Sequence, residues 1–267
     1  MTHEEKYHKY KYKYLELKKT LTNNTLQTGG NNQATILLLT RSLTKNIQDK
    51  LESLLQVGID AYIICDDFPS HTSDRVIHYS DKEMEKIGWT HHMSQTHNQI
   101  TAWDKGTYFA YKLNRPFVWI CEDDVYWNNS NSMKQLLDIN SNDDLIAYPL
   151  LEKYEDDQTW YHWDKAKLMI SDYSKWTATY NQLCRLSNRL LKKVYELSQL
   201  RKRLFFHEIM FATLCSIFNY SIGYFNKFDL PMFIYFRYEN PFIEKQIEEL
   251  EKLHKNILLH PVKFNIR

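Results

Sequence analysis

Residues 117–126 read FVWICEDDVY: five apolar residues, Phe117 to Cys121, run straight into Glu122, Asp123 and Asp124 with no turn residue between them. An apolar run of this length without polar alternation marks a strand covered on both faces, as in parallel sheets. Upstream lie two similar runs, Thr35 to Thr40 (TILLLT) and Asp60 to Cys65 (DAYIIC), and downstream a shorter one, Leu145 to Tyr148. Between the first two, Ile47, Leu51, Leu54 and Leu55 recur at helical spacing, which predicts a helix over 46–57 that Gly58 stops. Arg75 to Tyr79 reads as a short strand, and Ser94 as the cap of a helix over 95–113, ended by Asn114 and the Arg115-Pro116 step. Strand and helix alternate. The expectation is an α/β fold, with a mostly parallel central sheet flanked by helices and joined by right-handed crossovers.

The second half reads as helical. Leu183, Leu186, Leu190, Val194 and Leu197 predict one long amphipathic helix; Phe211, Leu214, Cys215 and Phe218 predict another beginning near His207. Asn240-Pro241 opens a last helix through Ile243, Ile247, Leu250 and Leu253, and 258–266 follows as a tail. At the other end, 4–21 reads as a polar helix and 22–33, with Gly29-Gly30 and several Asn, as a flexible linker. The folded body is therefore expected over 34–267 as one domain, with halves 34–150 and 151–267.

Composition narrows the class. The chain has 267 residues, 43% hydrophobic and 25% charged, which is a globular balance. Lys plus Arg is 34 against 33 for Asp plus Glu, a net charge of +1, which argues against a nucleic-acid partner bound through counterion release. The four cysteines, Cys65, Cys121, Cys184 and Cys215, form no CxxC pair and read as reduced thiols, an expectation of a cytoplasmic location. No apolar run reaches the roughly 18 residues of a membrane span, and the first twenty residues carry no signal-peptide core.

Ligands of open α/β sheets bind beyond the carboxyl ends of the strands, where the acids of 122–124 are expected. Alternation puts Glu122 and Asp124 on one face, about 6–7 Å apart at Cα, with Asp123 on the other. Two converging carboxylates suit a hard divalent cation, Mn2+ or Mg2+; a solvated acidic loop is the plainer alternative. FVWICEDDVY resembles the DxD-type motif of GT-A-fold glycosyltransferases in its EDD form. The resemblance implies that Asp124 ligates a metal that bridges a nucleotide-sugar diphosphate. It makes Glu122 a ribose contact or a further metal partner, and Asp123 a less defined donor-site residue. His260-Pro261-Val262-Lys263 is similar to the family's C-terminal closure, which implies His260 as a metal ligand and Lys263 on the diphosphate.

Glu208 projects from the apolar face of its helix, three, four and seven residues before Phe211, Ala212 and Cys215. A carboxylate there needs a partner or its pKa rises, and either suits a general base, although it also complements the helix dipole. The His207-Glu208 pair resembles the family's place for the base of an inverting transfer, with His207 the fallback. In the family, residues at the first strand ends touch the nucleoside, which implies Thr40, Arg41 and Asp66; Asp67 can instead start a turn with Pro69. Trp103, Asp104 and Lys105 on the next helix are placed as nucleotide-sugar contacts are in the family, although Trp103, at helical spacing from Ala110, reads rather as core. Tyr154, Glu155, Asp156, Asp157, Trp160, His162 and Trp163 mix acids with aromatics as a sugar site does, and Arg237 and Tyr238 are further acceptor-cleft candidates.

The activity these residues imply is transfer of a hexose from a nucleotide-diphosphate sugar, with UDP the family's usual nucleotide, to a glycan or hydroxyl acceptor. Two other readings remain open at this point. One is a Mg-dependent phosphoesterase or nuclease, with Asp66 and Asp67 as added ligands; the other is a non-catalytic nucleotide-sugar-binding protein.

Overall fold

A computed structural model describes residues 34–69, 73–92, 98–149, 163, 175–237 and 240–263. The expected helix at 4–21, the linker at 22–33 and the loop residues 154–162 lie outside the described residues. The elements run β1 (Thr35–Thr40), α1 (Lys45–Gln56), β2 (Asp60–Cys65), β3 (Val76–Ile77), α2 (Asp81–Lys86), β4 (His91–His92), β5 (Asn98–Gln99) and α3 (Ala102–Leu113). They continue β6 (Phe117–Glu122), β7 (Tyr126–Trp127), α4 (Ser130–Leu137), β8 (Leu145–Pro149), β9 (Thr179–Ser187), α5 (Asn188–Arg201) and α6 (His207–Phe218). Last come β10 (Ile222–Tyr224), β11 (Phe233–Phe236), α7 (Glu244–Leu253) and β12 (Ile257–His260).

Seven strands form the central sheet in the order β10-β8-β9-β6-β1-β2-β3, all running one way except β9, which is antiparallel to both β6 and β8. The fold is mixed α/β, as expected. All six residues of β1 are buried because both faces are covered. Leu37 and Leu39 pack in the cluster that includes Trp103, Ala110, Leu190, Val194 and Phe211 of α3, α5 and α6. Ile36 and Leu38 pack with Ile47, Leu51 and Leu54 of α1 and Met133 and Leu136 of α4. Burying each such side chain is worth about 1.5–3 kcal/mol, so β1 alone anchors both layers. Gly106 lets α3 lie close on β1: a Cβ there would meet Leu39 Cδ2 at 2.4 Å. A second, three-stranded sheet, β11-β12-β7, carries its own cluster of Phe242, Ile247, Ile257, Leu259 and Val262 beneath α7. None of the described helices is long and apolar enough to cross a membrane.

Three sequence expectations are corrected. Leu183 and Leu186 belong to β9, not to a helix, and α5 starts only at Asn188, where the Ser187 side chain accepts from Leu190 N. All nine residues of β9 are buried, so no polar alternation betrays the strand, and its leucines happen to continue the helical spacing. α3 starts at Ala102, not near Gln95, because Thr101 and Asp104 form the capping box, and Asn98–Gln99 instead pair with His91–His92. The tail after α7 is ordered by β12, which pairs parallel with β11 and antiparallel with β7.

Candidate active site

β6 ends at Glu122, and after Asp123, Asp124 and Val125 the chain enters β7. The register Leu259↔Tyr126 brings β12 back alongside this turn, and Val262 N donates to Asp124 O at 2.8 Å. His260 is thereby set against the acids although 136 positions separate it from Asp124 (260 − 124). Its Nε2 lies 3.4 Å from Glu122 Oε2 and 3.2 Å from Asp124 Oδ1. Ligand atoms of the three residues all fall within 4.8 Å of one another.

Asp124 Oδ1 is buried and meets no donor in hydrogen-bonding geometry, even with the imidazole nitrogen 3.2 Å away. Burial alone would lower the His260 pKa, but the close carboxylates of Asp124 and Glu122 outweigh it and raise it to about 9. The two carboxylates thus draw positive charge into the space between them. Two oxygens and an imidazole nitrogen are a donor set for Mn2+ or Mg2+. Around an ion with ligands at about 2.1 Å, neighbouring ligand atoms stand roughly 3 Å apart, close to the separations here. The residues fit a divalent ion.

Several contacts fix this turn. Thr40, buried at the end of β1, donates from Oγ1 to Asp123 Oδ2 at 2.6 Å. Asp123 points away from the triad, toward β1. Lys50 of α1 donates from Nζ to the carbonyls of Asp123 at 2.6 Å and Val125 at 2.8 Å, over the Trp127 ring. From α3, Trp103 Nε1 donates to Glu122 Oε1 at 2.6 Å, and its ring stacks on His207 with centroids 3.8 Å apart.

That stack joins the turn to α6. Glu208, 1% exposed, accepts from Gln182 Nε2 of β9 at 2.6 Å, while Asn181 Nδ2 of the same strand donates to His207 O. On β9 as well, the Cys184 thiol is pushed well up by burial and then by the charges of Glu122, Cys121 and Glu208.

The remaining expected residues fall into three groups. Lys105 is buried, and its Nζ contacts Asp66 O at 2.6 Å, Asp66 Oδ1 at 2.9 Å and Asp81 Oδ1 at 3.1 Å; its charge fastens the end of β2 in place of standing free in a cleft. Asp66 keeps partial exposure, and Arg41 is exposed beside Asp67 at 3.7 Å. Lys263 is exposed next to the bridge that Val262 makes with Phe242, and Arg237 lies over the Phe242 ring at 3.7 Å. Trp163 is half-buried and stacks on Trp176, centroids 5.8 Å apart. Tyr154, Glu155, Asp156, Asp157, Trp160, His162 and Tyr238 lie outside the described residues. Sequence reasoning missed Lys50 and Gln182 and left Trp103 in the core. Lys50 binds backbone carbonyls 73 and 75 positions away, a partnership no local pattern signals.

No family model matches the sequence, and no curated protein is significantly similar to it. Among solved structures, the galactosyltransferase LgtC in complex with donor and acceptor sugar analogs overlaps at 14% identity over 75% of each chain, with a TM-score of 0.37. An active-site mutant of LgtC overlaps at 15% identity over the same shares, TM-score 0.38. The apo bifunctional glycosyltransferase WbbM overlaps at 12% identity over 88% of this chain and 47% of its own, TM-score 0.44. Overlaps this loose transfer no residue's role.

Proposed function

We propose that the chain is a metal-dependent, GT-A-type glycosyltransferase that moves a hexose from a nucleotide-diphosphate sugar, UDP-linked by preference, to a hydroxyl of a glycan or other acceptor. One observation carries the reading: Glu122, Asp124 and His260 converge at the carboxyl end of a parallel strand, the ligand-binding edge of such sheets. A bound Mn2+ or Mg2+ supplies charge neutralisation for the diphosphate as it leaves.

The protein's own groups do the rest. Arg41 and the Lys105-fixed Asp66 line up along the ends of β1 and β2, one and two strands from β6, and bind the nucleoside, while Thr40, buried with its hydroxyl on Asp123, braces that edge in place of contacting the nucleoside. Strands spaced about 4.8 Å apart put that edge within a nucleotide's length of the triad. Lys263 lies on the strand-end segment next to His260 and adds positive charge for the diphosphate. Glu208 takes the proton from the acceptor hydroxyl, and Gln182 holds its carboxylate in one orientation by donating to Oε1. A base on the face opposite the leaving group gives a single displacement with inversion. His207 is the alternative base, but its ring is stacked flat on Trp103, which suits a positioning role better. The phosphoesterase reading loses support, since Asp66 is tied to Lys105 and Asp67 faces Arg41, away from the triad's ligand set.

The test is nucleotide-diphosphate release from a panel of sugar nucleotides with Mn2+, with and without EDTA. The expected result is release from one donor, lost with EDTA and in Asp124→Ala. Metal-dependent hydrolysis of simple phosphodiesters without sugar transfer would overturn the proposal, as would thermal stabilisation by nucleotide without turnover of any donor.

A further inference from the structure

Trp103 touches both the acidic turn and the start of α6, through Glu122 and His207, in addition to its place in the core. Its indole N–H donates to Glu122 Oε1 at 2.6 Å, while the other oxygen of the same carboxylate, Oε2, is the one 3.4 Å from His260 Nε2. The residue is 9% exposed, and its ring lies nearly parallel to the His207 imidazole, at 13°. Its own backbone is pinned, because Thr107 Oγ1 donates to Trp103 O at 2.7 Å.

We infer that Trp103 is a positioning residue that dedicates one oxygen of Glu122 to the metal site and registers α6, with Glu208, against that site. This rests on the metal reading given above. A carboxylate with both oxygens free can swing or bind an ion through both, an arrangement that suits larger cations such as Ca2+. With Oε1 occupied by the indole, only Oε2 is turned to His260 and Asp124. The site is then biased toward a small cation that leaves positions open for phosphate oxygens. Hydrogen bonds behind a metal ligand are typically worth 10–100-fold in metal affinity.

The experiment measures Mn2+ binding by the electron paramagnetic resonance of free Mn2+ in wild type, Trp103→Phe, Glu122→Ala and the double variant. Phenylalanine keeps a ring against His207 and removes the donor together with the second ring's volume, which the Glu122→Ala background controls for. The expected result is a loss of about 10–100-fold on Trp103→Phe in the wild-type background and less than about 2-fold in the Glu122→Ala background, with Ca2+ competing better in Trp103→Phe. Equal losses in both backgrounds would make Trp103 a packing residue and overturn the inference while leaving the metal reading intact. Absence of Mn2+ binding by wild type would overturn both. A second measurement needs no Trp103 variant: of the seven tryptophan indole N–H resonances, one should shift both on adding Mg2+ and in Glu122→Gln. No resonance responding to both would overturn the inference.

Discussion

Replacing Lys50 by methionine removes the cation that holds the acidic turn from below while keeping most of the side chain's volume. Nζ donates to two carbonyls, that of Asp123 at the surface and that of Val125 partly buried. Water can replace the lysine at the first. The second loses a charge-assisted hydrogen bond worth about 1.5–3 kcal/mol. Against that loss stands the cost of desolvating the ammonium, visible in the Lys50 pKa: burial lowers it despite the opposing charges of Cys121, Asp123 and Asp124. Removing the charge recovers part of that cost, so the net destabilisation should be about 2 kcal/mol. For a fold of this size this is a fall of roughly 4–8 °C in Tm. Mn2+ affinity should drop as well, by about 10-fold, because Asp124 follows the carbonyl that Lys50 holds. Urea unfolding with an unchanged m-value measures the first effect, and Mn2+ titration calorimetry the second. Lys50→Arg, which keeps the charge, should recover more than half of the stability. If Lys50→Met melts within 0.5 kcal/mol of wild type and binds Mn2+ equally well, the turn is held by its strand neighbours and the argument fails.

Two glycines with left-handed φ separate backbone strain from steric conflict. Gly58→Ala (φ 79°, nothing within 4 Å of a new Cβ) should cost only the left-handed penalty of about 1–2 kcal/mol. At Gly88 (φ 73°) the same methyl would also lie 2.8 Å from Ser198 O and 3.0 Å from Lys202 Cα, so Gly88→Ala should cost about twice as much, read by urea melts of the pair. Asp104 gives the pH dependence. Burial raises its carboxyl to about 8, against the hydrogen bonds from Thr101 and with help from the Asp66 charge. The folded state therefore holds a proton that the unfolded chain, near the ordinary 3.8, has released. This contribution to stability is complete below pH 4 and is lost as pH rises through 8. Asp104→Asn removes it, so the Tm of the variant minus that of wild type should climb between pH 5 and 8; a flat difference would refute the burial argument.

The three parallel strands nearest the site were legible because each is an apolar run with no polar residue inside it, a pattern only two-sided burial explains. β9 was not, although it lies in the middle of the same sheet. Its interior holds Asn181, Gln182 and Arg185, all buried, and each donates to a distant partner: His207 O, Glu208, and the carbonyls of Ile139, Ser141 and Asp143. A polar residue is tolerable inside a sheet only when its partners are in place, and a sequence does not display them. The acids at 122–124 could be placed from their strand. Joining His260 to them required the family resemblance, since the register that seats β12 beside β7 depends on two sheets closing over each other.

The same dependence explains why the candidate centre is spread over the fold instead of residing in one motif. Glu122 and Asp124 come from β6 and its turn, His260 from β12, the bond that orients Glu122 from α3, and the clamp on the turn from α1. A pair of carboxylates this close, partly desolvated, repels itself unless positive charge is supplied from elsewhere in the chain. Here two basic groups supply it: His260 with its raised pKa, and Lys50 through the carbonyls on either side of Asp124. The acids can therefore be held converging before any ligand arrives, the condition for binding energy not to be used on assembling the site. A short acidic motif read alone would suggest a solvated loop; what distinguishes this one is the set of distant side chains that the α/β layering brings against it.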